Sequence, residues 1–244
     1  MTKKDGLLKQ TLAEIVIENY NAADLFDQYE IDFYCKGMDT LEEACNNKNL
    51  DYDKIAVELS GLPRSGRTRS EDVRNWPIDF LADFIENTHH EYVRAENEKL
   101  SRFAAFISKN HSEYHPELNT VYELFLFLIQ EVDRHMNEEE DRIFPLIKEL
   151  ASEVVESGNP GKETVSVFRY EIEKLRDEHE TAIGMLRELK ETSNSFNPPD
   201  DASEEVKKFY HDLFEFERDM HRHIHLESNV LFRKAEELAN ARPA

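Results

Sequence analysis

An all-α fold is predicted by three properties of this 244-residue sequence: only seven glycines, charged residues at 34%, and four long segments whose apolar residues recur at spacings of three and four. The first two suit helices better than a glycine-punctuated β fold, and the third marks one buried face on each helix. The expected architecture is an antiparallel four-helix bundle preceded by a small helical domain that contains both cysteines.

Residues 1–60 form the expected amino-terminal domain, within reach of a few packed helices. The pattern predicts a helix over Ile15 to Phe26. Thr40 and Glu43 fit a capping box, in which hydroxyl and carboxylate satisfy orphan amide donors, so a second helix runs from there to Cys45. A third covers Tyr52 to Leu59 after an aspartate cap. Residues 61–75 read as a linker: Gly61, Pro63, Ser65, Gly66 and Ser70 break any helical pattern, and Arg64, Arg67, Arg69 and Arg74 make a solvated basic tether.

The bundle domain, 76–244, carries helices over roughly Pro77 to Lys109, Leu118 to Glu156, Glu163 to Glu191 and Glu204 to Ala239. Pro-marked connections separate them at His111 to Pro116, Ser157 to Gly161 and Asn194 to Asp201, short enough to favour antiparallel neighbours.

A formal charge of −22 argues against nucleic acid as partner, because phosphate recognition needs clustered cations. The longest apolar run, Leu124 to Ile129, is far short of the roughly 20 residues a membrane helix needs. The start of the chain lacks the apolar stretch of a secretory signal, so a cytoplasmic location is expected. Cys35 and Cys45 are too few for a disulfide framework or a Cys-rich zinc module.

The helical stripes hold polar residues where hydrocarbon is the norm. Helix three runs Phe168, Ile172, Leu175, His179, Ala182, Leu186, Leu189, and helices two and four align His135 with Glu139 and His223 with Glu227 among their core residues. A histidine and a glutamate at i, i+4 project from one face and can reach a common ion. His211 and Glu215 share that spacing, but Lys208 and Asp212 beside them mark a solvated face. In helix one the apolar residues centre on His89, whereas the intervals 90, 135, 179, 223 are nearly equal and favour His90. Their midpoints fall in or beside the three Pro-containing breaks, so four imidazoles stand at one height of an antiparallel bundle. The unit "lone His helix, then His-x-x-x-Glu helix" occurs twice, a pattern suited to two metal ions with Glu139 and Glu227 bridging. Six side chains leave coordination positions open for water, oxo, dioxygen or nitric oxide, and the donor set suits iron and equally manganese or zinc. His221 and His225 point away from the face of His223, and His111 and His115 lie in a loop; all four are expected to be solvated.

In combination, Thr88-His89-His90 with Arg94, His135 to Glu140 with Ile143-Phe144-Pro145, Glu178-His179-Glu180 and His223 to Phe232 resemble the haemerythrin-like domain of the iron-sulfur cluster repair di-iron (RIC) family. The resemblance covers nearly the whole chain. It implies His90, His135, Glu139, His179, His223 and Glu227 as ligands of two iron ions, bridged by both glutamates and by an oxo or hydroxo group, and it chooses His90 over His89. Asp32-Phe33-Tyr34-Cys35-Lys36-Gly37 is similar to the family's Asp-[Phe/Tyr]-Cys-Cys-Gly-Gly, with Tyr34 in place of the first cysteine. Cys35 is therefore a candidate redox thiol alone or with Cys45, its thiolate favoured by Lys36.

The implied function is repair of clusters damaged by nitric oxide or oxidants through iron donation, with nitric oxide reduction as a further activity. Damaged iron-sulfur proteins, nitric oxide or dioxygen are the implied partners, and the resemblance permits a homodimer. The competing readings are an oxygen or nitric oxide sensor and a metal-free helical interaction protein.

Overall fold

The computed structural model describes residues 3–63 and 73–241. Most of the expected linker, with Arg64, Arg67 and Arg69, lies outside these residues, as does the Arg74 side chain. The described chain is helical, with an isolated bridge between Thr11 and Thr40 as its only β pairing.

The amino-terminal unit contains α1 (Lys3–Leu8), α2 (Leu12–Glu18), α3 (Ala22–Gln28), α4 (Leu41–Lys48) and α5 (Tyr52–Gly61). Thr40 and Glu43 form the expected capping box, Thr11 and Glu14 form another, and Asp51 caps α5. The single helix expected over Ile15 to Phe26 is instead two. Asn19 ends α2 in an extended conformation, and the Asn19 and Asn21 amides both donate to the Pro63 carbonyl, at 3.2 and 2.9 Å. Leu12, Val16, Phe26, Phe33, Leu41 and Ile55 fill the core of this unit.

The four expected rods are present. The first is α6 (Ile78–Phe84), a π-helical turn at Ile85–His90, and α7 (Glu91–His111). The second is α8 (Glu117–Glu138), a π turn at Glu139–Ile143, and α9 (Phe144–Ser157). The third is α10 (Lys162–Thr192), uninterrupted. The fourth is α11 (Glu204–Leu226), a π turn at Glu227–Leu231, and α12 (Phe232–Ala239). In the bundle α8 packs on α7 and α10, and α11 on α7.

The bundle core is divided. One cluster runs from Val93 to Ile107, Leu118 to Met136, Ile183 to Leu189 and Val206 to Ile224. The other holds Leu81, Ile85, Ile143, Ile147, Phe168, Leu175, Val230 and Phe232. Every rod passes from one cluster to the other, and at each passage the hydrocarbon gives way to histidine or glutamate.

The amino-terminal unit docks on α11. Arg218 and Arg222 both reach Asp24, and His221 Nδ1 lies 2.8 Å from Asp27 Oδ1. Tyr34 stacks on His221 with ring centroids 3.9 Å apart. The Asn229 amide donates to the Phe33 and Tyr34 carbonyls at 3.1 and 2.8 Å. Gly37 is required here: a Cβ at this position would come 2.2 Å from Asn229 Oδ1. The expectation of solvated histidines fails for His221, His225 and His115, which are buried. The first two point away from the His223 face as expected, but the amino-terminal unit covers that side.

Candidate metal centre

His90, Glu139, His179, His223 and Glu227 are at most 3% exposed, and the His135 side chain is 12% exposed. These are the six residues singled out in the sequence, and the fold gathers all of them into one belt. They form two groups whose ligand atoms lie within 4.8 Å of one another: His90, Glu139, His223, Glu227 and His135, Glu139, His179, Glu227.

The carboxylates are shared in a definite way. Glu139 places Oε2 3.6 Å from His90 Nε2 and Oε1 3.4 Å from His135 Nε2. Glu227 places Oε1 3.2 Å from His90 Nε2 and 2.8 Å from His223 Nε2, with Oε2 3.3 Å from His179 Nε2. Each glutamate thus gives one oxygen to each histidine pair. The rings of His90 and His223 stack at 5.0 Å, and those of His135 and His179 meet edge-on at 4.8 Å.

The π turns explain this convergence. A π turn closes on i, i+5 spacing, so Ile85 and His90 face inward together and His89 turns aside, half-buried. Plain α periodicity points to His89, which stands outside the belt, and the equal intervals point to His90, which stands in it. In rods two and four the π turn begins at Glu139 and Glu227 themselves.

Neutral polar groups in such a place would each require a hydrogen-bond partner. Yet His135 Nε2, His179 Nε2, both oxygens of Glu139 and Glu227 Oε2 are buried without one. Imidazole nitrogens and carboxylate oxygens aimed at common points, unpaired, fit divalent metal ions. Burial works against a charge on His135, but adjacent Glu139 and the hydrogen bond it donates to Glu178 lift its pKa to about 10. Burial likewise opposes ionisation of Glu227, yet His223, His179 and His90 hold its carboxyl well below the usual range.

Outer partners orient the rings, and the sequence reading assigned them no role. His90 Nδ1 lies 2.6 Å from Glu140 Oε1, and Arg94 donates to both Glu140 oxygens at 2.8 and 3.0 Å. His135 Nδ1 lies 2.7 Å from Glu178 Oε2, with Arg134 and Lys174 beside the other oxygen. His179 Nδ1 lies 3.0 Å from Ser228 Oγ. Glu140, Glu178 and Ser228 are chain neighbours of the belt residues Glu139, His179 and Glu227, each on a different rod from the histidine it meets, and that adjacency is the signal which could have found them. A cavity of about 100 Å³ between α8, α10 and α11 is lined by His135, Glu178, His179 and His223.

Cys35 is half-buried against the bundle core, while Cys45 is buried in the amino-terminal core; both thiols are free. Burial pushes the Cys35 thiol up to about 12, with Asp32 and Glu180 adding to the effect. Lys36 and Arg187 oppose it and do not prevail, so the expectation of a favoured thiolate is corrected.

Residues 85–235 match the family described as the Hemerythrin HHE cation binding domain, and residues 8–62 match ScdA_N, a domain of unknown function. The iron-sulfur cluster repair protein ScdA of Staphylococcus haemolyticus is 31% identical over 224 residues, covering 91% of this chain and 96% of its own. The chain belongs to this haemerythrin-domain repair family. The repair protein YtfE of Yersinia pseudotuberculosis is 29% identical over 233 residues, 93% of this chain and 96% of that protein, and YtfE of Yersinia pestis matches equally. Both family segments fall on folded units: the first on the helices that dock against α11, the second on the rods that carry the buried belt. As in the sequence reading, no helix among the described residues is long and apolar enough to cross a membrane.

Proposed function

We propose that this chain repairs damaged iron-sulfur proteins by holding two iron ions between its histidine pairs and giving iron up. His90 and His223 take one ion and His135 and His179 the other, with Glu139 and Glu227 bridging. The observation that carries this reading is the division of each buried carboxylate, one oxygen to each pair. The relatives named above as cluster repair proteins support the function.

Iron, when bound, supplies an exchangeable cation and one-electron redox chemistry. The protein supplies the means of release: because each glutamate serves both pairs, protonation or rotation of one carboxylate weakens the hold at each site, by an amount that the rest of that site's residues set. Once His90 and His135 are neutral, the outer carboxylates Glu140 and Glu178 keep the remaining proton on Nδ1 and so leave Nε2 as an acceptor facing inward. Core hydrocarbon on both sides keeps bulk water from the belt.

Elemental analysis tests the first half, with two irons expected per chain; transfer of that iron to an apo cluster protein, restoring its absorption, tests the second. Failure to bind iron, or iron held but never transferred, overturns the reading. A sensor of nitric oxide or dioxygen is the alternative, favoured by the seating of the amino-terminal unit on the same helix segment as His223 and Glu227. Exposure of the iron-loaded protein to nitric oxide separates the two: a sensor releases its amino-terminal unit and keeps its iron.

A further inference from the structure

The belt has a two-fold repeat, and its outer shell does not obey it. His90 corresponds to His179 and His135 to His223, with offsets of 89 and 88 residues. The same offsets carry Glu140 to Ser228 and Glu178 to His89. Four positions thus stand where a brace for an imidazole Nδ1 belongs. Three are filled by partners: Glu140 to His90 at 2.6 Å, Glu178 to His135 at 2.7 Å and Ser228 to His179 at 3.0 Å. The fourth is not. His223 Nδ1 is buried and has no hydrogen-bond partner among the described residues, and the ring at the corresponding position, His89, stands edge-on with its centroid 6.3 Å away.

The consequence falls unequally on the two pairs. His135 and His179 are both oriented from behind, one by a carboxylate and one by a hydroxyl. His90 is held by Glu140, itself fixed by Arg94, but the only hydrogen-bond partner of His223 among the described residues is in front of it, Glu227 at 2.8 Å. An outer partner fixes the tautomer and orientation of a ligating imidazole and raises its basicity, and losing one costs about 10 to 100-fold in metal affinity.

We propose that the centre is built with one loosely and one firmly held ion, and that the ion between His90 and His223 is the one given up. This rests on the two-ion reading above and names which site does the donating. The cavity between α8, α10 and α11 opens onto His135 and His179 as well as His223. Exit controlled by access alone would therefore release the other ion first, so order of release discriminates between hold and access.

The experiment is release of ferrous iron from the fully loaded chain into excess bipyridine, followed by absorbance. Two phases of equal amplitude are expected, with rates differing about tenfold or more. Ser228→Ala removes a brace from the His135 and His179 pair alone, so it should quicken the slow phase and leave the fast one unchanged. His89→Glu supplies the missing carboxylate behind His223 and should slow the fast phase. Saturation at one iron per chain would overturn the two-ion reading and this proposal together. Two irons leaving in a single phase, or Ser228→Ala acting on the fast phase, would overturn the unequal hold while leaving the two-ion reading intact.

Discussion

His221, His223 and His225 occupy alternate positions of one helix, all three are buried, and they face different surroundings. His223 joins the belt, where its Nε2 meets a carboxylate and its neighbours along the rod, Met220 and Glu227, are core hydrocarbon and belt carboxylate. His221 and His225 face the amino-terminal unit, one against Asp27 and Tyr34, the other against Phe33 and Asn229. On the belt face atoms of several residues converge without hydrogen bonds; on the docking face His221, Asn229 and the carbonyls of Phe33 and Tyr34 find partners, while Asp27 Oδ2 and Arg222 Nε are buried without one. A convergence of buried groups without hydrogen bonds on one point is what a bound ion completes, whereas paired groups are structure in themselves. Helix α11 therefore carries a site on one side and a joint on the other.

The sharpest way to break this contrast is to remove the site and ask whether the joint survives. Replacing Glu139 and Glu227 together by Leu should take the iron content from two per chain to near none, since both groups of ligands lose both carboxylates. The docked state should persist, because no contact of Asn229 or His221 with the amino-terminal unit involves either glutamate. Exchanging buried charge for hydrocarbon of similar volume is often neutral or stabilising. Iron analysis and amide exchange at Phe33 to Gly37 measure the two halves of the claim; loss of protection there would show that the faces are not separable.

Cys35 sharpens the comparison from the joint side. Its thiol is raised from 9.0 to about 12, which leaves about a thousandfold less thiolate at neutral pH than an ordinary cysteine has. Alkylation by iodoacetamide should be slower by about that factor and should still climb about tenfold per pH unit at pH 10. Rapid alkylation at pH 7 would restore the redox role that the sequence suggested for Cys35.

A smaller effect is expected where the joint closes. Asn229→Ala leaves the Phe33 and Tyr34 carbonyls without this donor, at a cost of about 1–3 kcal/mol. Gly37→Ala drives a methyl against Asn229 at a cost of similar size, about 1–3 kcal/mol. Urea unfolding followed by the amino-terminal unit should report both losses. Iron stoichiometry should hold at its wild-type value in each, and a fall would mean that the docked loop helps to shape the π turn presenting Glu227.

How much of this was readable in the sequence depended on whether the controlling contact was local. The rods, their capping boxes and the height of the four histidines follow from periodicity and from loops at regular intervals, which the chain carries along its own length. Apolar spacing alone points to His89, because the π turn at Ile85–His90 shifts the inward face by one residue and that spacing assumes plain α geometry; the equal intervals between the histidines point to His90. The break at Asn19 was hidden because its cause, the Pro63 carbonyl, is far along the chain. His221 and His225 were placed on the correct face and given the wrong environment, since nothing in α11 announces that a second unit covers it.

The last contrast concerns protons. In the metal-free belt His135 is held as a cation, because Glu139 and Glu178 outweigh burial and raise its pKa to about 10. A metal ion needs the neutral ring, so loading must expel that proton. Affinity for the ion between His135 and His179 should therefore rise with pH by about tenfold per unit up to about pH 10, beyond which His135 is already neutral and the slope falls away. Titration calorimetry in buffers of different ionisation enthalpy counts the protons released. Glu178→Gln removes the charge but can keep a hydrogen bond, which lowers the pKa of His135 and flattens the dependence. On the docking face the sign is opposite, because burial holds the His225 pKa down at about 4 and its ring is neutral before any metal arrives. Substituting His225 should leave the proton count unchanged, and a change there would put the docking histidines inside the metal's proton balance.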